Sequence, residues 1–205
     1  MKKSTRIHTS RPSKHRAANA LYIVTLLFFA LGLVNMFFAW LGLICFALPF
    51  VLLIKNKHKT WCSTYCPRAS LFNRLLSRIS RHTNPPRWLV GKDARDYVLI
   101  YFGVNLFVAI LSTVMVFKGR VDALDSLRLL MVWQVPWEVP QLLDLPGIPP
   151  WSVHATFRIY SIFLTSTLVG LLLGLLFKPR TWCAICPVGT VSSKYLTQYK
   201  RRHHE

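Results

Sequence analysis

Residues 20–54 read ALYIVTLLFFALGLVNMFFAWLGLICFALPFVLLI and contain no charged side chain. One helix of this length would measure about 52 Å, whereas a helix of roughly 20 residues already crosses the hydrocarbon core of a bilayer. Asn35 is the one strongly polar residue of the stretch, and Trp40 suits a membrane–water interface. The pattern therefore predicts two short membrane spans joined by a tight turn near these two residues.

Two more uncharged stretches, residues 97–117 and 159–177, are each long enough for a membrane span. Hydrophobic residues make up 53% of the 205-residue chain, which excludes a disordered protein and argues against an ordinary soluble enzyme. We therefore predict an all-α integral membrane protein with four transmembrane helices, arranged as two helical hairpins.

The charge distribution predicts the topology. The chain has 26 Lys and Arg residues against 7 Asp and Glu, and 22 of the basic residues lie in residues 1–19, 55–95 and 178–205. With four spans these three segments share one side, which the positive-inside rule identifies as the cytoplasm. We expect a multi-pass protein of the bacterial inner membrane with both termini in the cytoplasm. Topology and anionic lipids account for the charge, so we expect no nucleic-acid partner.

The chain contains a parallel internal repeat. After two predicted spans, each half has a cysteine motif, WCSTYCP at residues 61–67 and WCAICP at residues 182–187. We divide the chain into a basic tail (1–19), a first repeat (20–95, cysteine motif 62–67) and a second repeat (96–205, outer segment 118–158, cysteine motif 183–187, basic C-terminal tail).

A basic amphipathic helix at the membrane surface is predicted after each motif. Its apolar positions are Leu71, Phe72, Leu75, Leu76 and Ile79 in the first half, and Val188, Val191, Tyr195 and Tyr199 in the second.

Two-fold pseudosymmetry would bring four cysteines together at the cytoplasmic face, namely Cys62, Cys66, Cys183 and Cys186. Cytoplasmic thiols are kept reduced, which argues against structural disulfides, and a thiol–disulfide exchanger would more naturally face the oxidising side. Four thiolates could bind zinc or a [4Fe–4S] cluster. The Cys-Pro ending of each motif and the flanking Trp61, Tyr65 and Trp182 favour the cluster. The fifth cysteine, Cys45, lies inside the second predicted span and is interpreted as a packing residue.

The repeated Trp-Cys-x-x-x-Cys-Pro pattern at the cytoplasmic ends of helical hairpins resembles the membrane iron–sulfur proteins of the NapH and NosR type (polyferredoxin-like). The resemblance covers the helical core and both motifs. It implies electron transfer between the quinone pool or cytoplasmic donors and periplasmic acceptors. Carried over residue by residue, it implicates Cys62, Cys66, Cys183 and Cys186 as ligands of a [4Fe–4S] cluster.

This chain departs from that family in three ways. The second cysteine pair is one residue closer than the usual spacing, and the chain has neither a separate ferredoxin-type cysteine run nor a periplasmic flavin-binding domain. The chain therefore looks like a minimal membrane core with a single cluster. A single cluster needs a redox partner, so we expect a partner protein or complex.

A second redox group is not evident from the histidines. None of the seven lies in a predicted span, which argues against a transmembrane haem. His154 and Arg158, on the outer side, are a hypothetical contact for a quinone ring. The alternative is that His154 is an interface residue and that Arg158 extends to the lipid headgroups.

The outer segment is long and rich in proline. A short helix over residues 121–133 is predicted to lie on the outer leaflet, with Leu124, Leu127 and Met131 facing inward. The segment is a candidate docking site for a periplasmic partner, although an anchoring cap would explain it equally well.

These features together predict an electron-transfer protein with one [4Fe–4S] cluster at the cytoplasmic face. Two alternatives stay open: a membrane scaffold clamped by zinc, and an assembly factor that holds a cluster without passing electrons on. An electron-transfer subunit is favoured over a stand-alone enzyme, because the sequence has no Ser–His–Asp set, phosphate-binding loop or paired carboxylates.

Overall fold

The computed structural model describes residues 20–124, 126–129, 133–134 and 147–203, most of which are helical. A 3-10 turn spans Met36–Trp40, a π-helical turn spans Trp61–Tyr65, and two short antiparallel strands are β1 (Arg128–Leu129) and β2 (Trp133–Gln134). The α-helices are α1 (Tyr22–Val34), α2 (Leu41–Asn56), α3 (Pro67–Leu76), α4 (Arg87–Val90), α5 (Lys92–Phe117), α6 (Pro150–Leu176), α7 (Thr181–Ile185) and α8 (Pro187–His203).

Among the described residues, three helical segments are long and apolar enough to cross a membrane: Met36–Asn56, Lys92–Phe117 and Pro150–Leu176. Helix α1 is apolar but has only 13 residues, or about 20 Å, which is shorter than the ~30 Å hydrocarbon core. These segments support the prediction of a helical membrane protein. The fourth span and the hairpin arrangement stay predictions.

The first apolar stretch breaks at Asn35, within the turn predicted from the sequence. Asn35 leaves the helical conformation (φ −153°, ψ 126°), and its side-chain oxygen accepts a 2.8 Å hydrogen bond from the backbone N–H of Phe37. Asparagine competes with helical hydrogen bonds in this way because its short side chain reaches the backbone two residues on. The chain therefore leaves α1 there and enters the 3-10 turn before α2.

The helices bury small and polar side chains and expose large apolar ones. Helix α6 buries a series of Ser, Thr, Ala and Gly positions, whereas Phe107 of α5 is 66% exposed and Ile44 of α2 is 56% exposed. Close helix packing through small residues with an apolar outer surface is typical of proteins in lipid. At Gly32 of α1, an added Cβ would overlap the ring of Tyr160, which shows how closely α1 approaches α6.

The outer segment differs from its prediction. The described part of residues 121–133 is not helical and includes β1. The backbone N–H groups of Leu124 and Arg128 donate to His154 Nδ1 and Ser161 Oγ of α6, and Leu127 is buried against the same helix. These bonds to another element replace the helical hydrogen bonds that the prediction assumed. Met131 lies outside the described residues.

The span expected at residues 159–177 also begins earlier than predicted, because α6 starts at Pro150. His154 therefore lies inside a candidate membrane-spanning helix, contrary to the expectation that no histidine does. The first amphipathic helix is shorter than predicted, since α3 ends at Leu76. Beyond it, Ser80 and Thr83 donate side-chain hydrogen bonds to carbonyls at the end of α6, Phe177 O and Leu176 O, which have no partner within the helix.

Candidate metal centre

The four motif cysteines line a single cavity with a volume of about 130 Å³. Cys62 and Cys66 come from the first half of the chain, and Cys183 and Cys186 from the second. The thiols are close enough that each of the other three acts electrostatically on Cys183. The convergence of the two motifs that the repeat predicted is therefore present in the structure.

The two motifs reach the cavity through different turns. Cys183 lies in α7, a single α-helical turn, whereas Cys62 lies in the π-helical turn Trp61–Tyr65. A π-turn closes its hydrogen bonds over one more residue than an α-turn. It therefore accommodates the one extra residue between Cys62 and Cys66.

The second cysteine of each motif stands at the N-cap of a helix. Cys66 precedes α3 and Cys186 precedes α8, and in both cases proline occupies the first helical position. Proline favours an extended residue before it and fits the start of a helix, which explains the repeated Cys-Pro pair. The backbone N–H groups of Ala69 and Arg68 donate to Cys66 and lower its pKa, so this helix start favours negative charge at the thiol.

Burial acts in the opposite direction and is the larger effect. Burial and, to a smaller extent, the neighbouring thiols raise the pKa of Cys62 to about 11 and that of Cys183 to about 12, against the smaller effects of Lys59 and Arg180. Burial also raises the pKa of Cys66 above its ordinary value. The metal-free thiols of Cys62, Cys66 and Cys183 are therefore protonated at neutral pH, and a metal must displace their protons in order to bind.

Aromatic and cationic side chains surround the cavity. Trp182 is 4% exposed, its ring centroid lies 6.1 Å from that of Phe102, and its buried Nε1 has no hydrogen-bond partner among the described residues. The Arg68 guanidinium lies 5.1 Å from the centre of the Phe163 ring, and Arg180 Nε donates to Asn73 Oδ1 at 3.1 Å. The cavity is thus largely apolar, with positive charge at its edge.

The thiols are not arranged for a single metal ion. Within the part of the chain that the structure describes, no group of three or more His, Cys, Asp or Glu side chains is placed to hold one ion. Zinc would need its sulfur ligands about 3.8 Å apart, because Zn–S bonds are about 2.3 Å long and tetrahedral. A cavity of about 130 Å³ is also many times the ~10–15 Å³ that one water-sized probe occupies. The donor set and the space fit a group of several metal atoms, and zinc is unsupported.

Cys45 also lines this cavity, together with Pro49 one helical turn away on α2. In the sequence Cys45 is interpreted as a packing residue, because its distance along the helix from the motifs is the only guide. The sequence carries no signal for this position, because it depends on how α2 packs.

His154 and Arg158, the hypothetical quinone contact, have different surroundings. His154 is 2% exposed; its Nδ1 accepts from Leu124 N–H, and its Nε2 lies 2.9 Å from Ser112 Oγ. Because Nδ1 accepts, Nε2 carries the proton and donates to Ser112. Arg158 lines a cavity of about 20 Å³ with Arg128.

Residues 38–86 and 161–194 match a family described as a 4Fe-4S binding domain, and each matched segment contains one of the two cysteine motifs. Comparisons with curated proteins and with solved structures give no match. The family match supports an iron–sulfur protein, and the three long apolar helices suggest a membrane protein. Fold, site and family match together support a helical iron–sulfur protein with three candidate membrane-spanning helices among the described residues.

Proposed function

We propose that this protein transfers electrons through one [4Fe–4S] cluster held by Cys62, Cys66, Cys183 and Cys186. One observation carries the proposal: two segments that match a 4Fe-4S binding domain contribute two thiols each to the same cavity. The cluster would supply reversible one-electron transfer when bound. Our proposal includes membership of the NapH and NosR type, as the paired motifs suggest.

The surroundings of the cavity suit such a group. The helix starts at Cys66 and Cys186 favour negative charge at the ligands. The unpartnered Nε1 of Trp182 is a donor that a sulfur acceptor would satisfy, and hydrogen bonds to sulfur tune cluster potentials. Arg68 and Arg180, which lower the pKa of Cys66 and Cys183 respectively, would stabilise the more negative, reduced state.

Our proposal for the setting is a bacterial inner membrane crossed four times, with α1 as the shortest span and both cysteine motifs on the cytoplasmic side. The support is the charge distribution, since 22 of the 26 basic residues would then lie on one side. In this setting a cytoplasmic donor could reach the cavity, and a partner redox protein or complex would complete the path.

A quinone from the membrane is the other candidate donor. An apolar cavity of about 280 Å³ lies between α1, α2 and α6. It shares Trp61, Arg68 and Phe163 with the cysteine cavity, so a ring bound there would lie next to the proposed cluster. We therefore propose this cavity as the quinone contact in preference to His154 and Arg158, because the cavity beside Arg158 measures only about 20 Å³.

The test is metal analysis of protein purified without oxygen. We expect about four iron and four sulfide atoms per chain, little zinc, and an EPR signal after dithionite reduction. Cys62→Ser and Cys183→Ser should each lose most of the iron and the signal, because each removes a ligand from one half.

Cys45→Ser is the matched control, since it removes a thiol that lines the same cavity without belonging to a motif. It should keep the iron, the sulfide and the EPR signal. Zinc without sulfide in the anaerobic protein would contradict the proposal and indicate a scaffold. A cluster that dithionite reduces but that neither a quinol nor a protein donor reduces would indicate an assembly factor.

A further inference from the structure

Two half-buried arginines lie close together and line a small cavity distinct from the cysteine cavity. Arg158 is on α6, eight residues after its start, and Arg128 is on β1. The Nε atoms of both are buried, and neither has a hydrogen-bond partner within the described residues. Guanidinium groups do not lose their proton in proteins, so this region carries two positive charges.

Such a pair needs a compensating charge. Buried polar atoms are nearly always hydrogen-bonded, and a charged residue inside a membrane bundle is expensive unless it is paired. Arg128 and Arg158 line one cavity, and its described lining includes no Asp or Glu. The carboxylate of Asp122, in the same outer segment, belongs to an exposed residue.

The cavity offers hydrogen-bond donors as well as positive charge. Ser161, which lines it, accepts from the backbone N–H of Arg128 at 3.2 Å, so its own hydroxyl proton remains for donation. The Asn105 amide, also in the lining, is held in place by donating to Tyr101 O at 2.6 Å. Two guanidinium groups and a hydroxyl are a donor set that favours an anion.

The size of the cavity limits the anion. Its volume of about 20 Å³ is close to the ~10–15 Å³ that one water-sized probe requires. A phosphate group or a quinone ring is too large for this space, whereas a single halide ion is not. We propose that Arg128, Arg158 and Ser161 form a binding site for one small inorganic anion of the size of chloride.

Anion titration of the purified full-length protein tests this site. The unfolding midpoint is measured by tryptophan fluorescence while chloride or bromide replaces gluconate at constant ionic strength and pH. We expect a saturable rise, roughly 4–8 °C at about 30 times the dissociation constant, and no rise with gluconate. Absence of a saturable halide response in the wild-type protein would overturn the proposal, as would a stronger response to sulfate or phosphate than to halide.

Arginine-to-glutamine variants test whether the two arginines produce the halide-dependent rise in the unfolding midpoint. Arg128→Gln and Arg158→Gln should abolish the halide-dependent rise, whereas Arg120→Gln, a matched change at an exposed position after α5, should preserve it. Arg128 is outside the long helices, so its variant is decisive even where Arg158→Gln does not fold. An unchanged response in Arg128→Gln, or an equal loss in Arg120→Gln, would refute the assignment.

Discussion

Two opposing local influences act on the pKa values of the Cys62 and Cys183 thiols. Burial raises the pKa of Cys62 to about 11 and that of Cys183 to about 12, while nearby cationic groups such as Lys59 and Arg180 lower it by less. In the metal-free state the neutral thiol therefore prevails at Cys62 and Cys183 at neutral pH. Ligation requires deprotonation, which the metal must drive.

Alkylation of the metal-free protein checks these pKa values. At pH 8 the thiolate fraction of Cys62 should be on the order of 100-fold below that of an ordinary cysteine, because only the thiolate reacts. Its rate of reaction with iodoacetamide should rise about tenfold per pH unit until the pH approaches its pKa of about 11. Mass spectrometry of the labelled peptides measures the rate, and the denatured protein is the control. A plateau near pH 9 in the folded protein would contradict the raised pKa.

The motif cysteines can be predicted from the sequence, but not every residue around them can. The motifs repeat, and a repeat of Trp-Cys followed by Cys-Pro after apolar stretches is readable without coordinates. Cys45 has no repeated counterpart, so its place in the cavity wall depends on how α2 packs. His154 is a hypothetical quinone contact in the sequence, with an interface residue as the alternative. Its hydrogen bonds go to Leu124 and Ser112, which are 30 and 42 residues away in the chain and could not be read from it.

At the scale of elements, the helices were predictable and their exact turns were not. Uncharged runs predicted the long helices because lipid requires continuous apolar surface. The π-helical turn at Trp61–Tyr65 and the α-helical turn of α7 could not be distinguished in advance, since a one-residue difference in spacing does not identify the turn that absorbs it. The helix expected at residues 121–133 was wrong because its hydrogen bonds go to α6 instead.

The packing of α6 against α3 gives a prediction for one element. An alanine Cβ at Gly170 would overlap the ring of Phe72, which is 0% exposed and has little room to move, and would lie 3.2 Å from Trp182 Cγ. Gly170→Ala should destabilise the protein by about 1–3 kcal/mol and lower its iron content, because overpacking displaces the wall of the cysteine cavity. Thermal unfolding and iron analysis measure both effects.

Gly103→Ala is the control, because it adds the same methyl group within α5 where no other atom lies within 4 Å. Alanine favours a helix over glycine by up to about 1 kcal/mol, so this variant should be as stable as the wild type or more so. Equal destabilisation by both substitutions would mean that the effect comes from replacing a helical glycine and not from the contact between Gly170 and Phe72.

In the whole molecule, helix α6 contributes side chains to the walls of all three cavities. It contributes Phe163 to the walls of both the apolar cavity and the cysteine cavity, and Arg158 to the small arginine cavity. Phe102 and Ile162 line both the cysteine cavity and the arginine cavity, so a single layer of side chains separates the two. Two charged groups bound on either side of that layer would act on each other through a medium of low dielectric constant.

This arrangement predicts that the proposed bound anion makes reduction of the proposed cluster less favourable, because both carry negative charge. Bound chloride should lower the reduction potential, and reduction should weaken chloride binding by the same factor, because such coupling is reciprocal. Each tenfold difference in affinity corresponds to about 59 mV for a one-electron couple. A redox titration followed by EPR, in chloride and in gluconate at equal ionic strength, measures the shift. Arg128→Gln should show no difference between the two salts, and a higher potential in chloride, or an equal shift in that variant, would contradict the coupling.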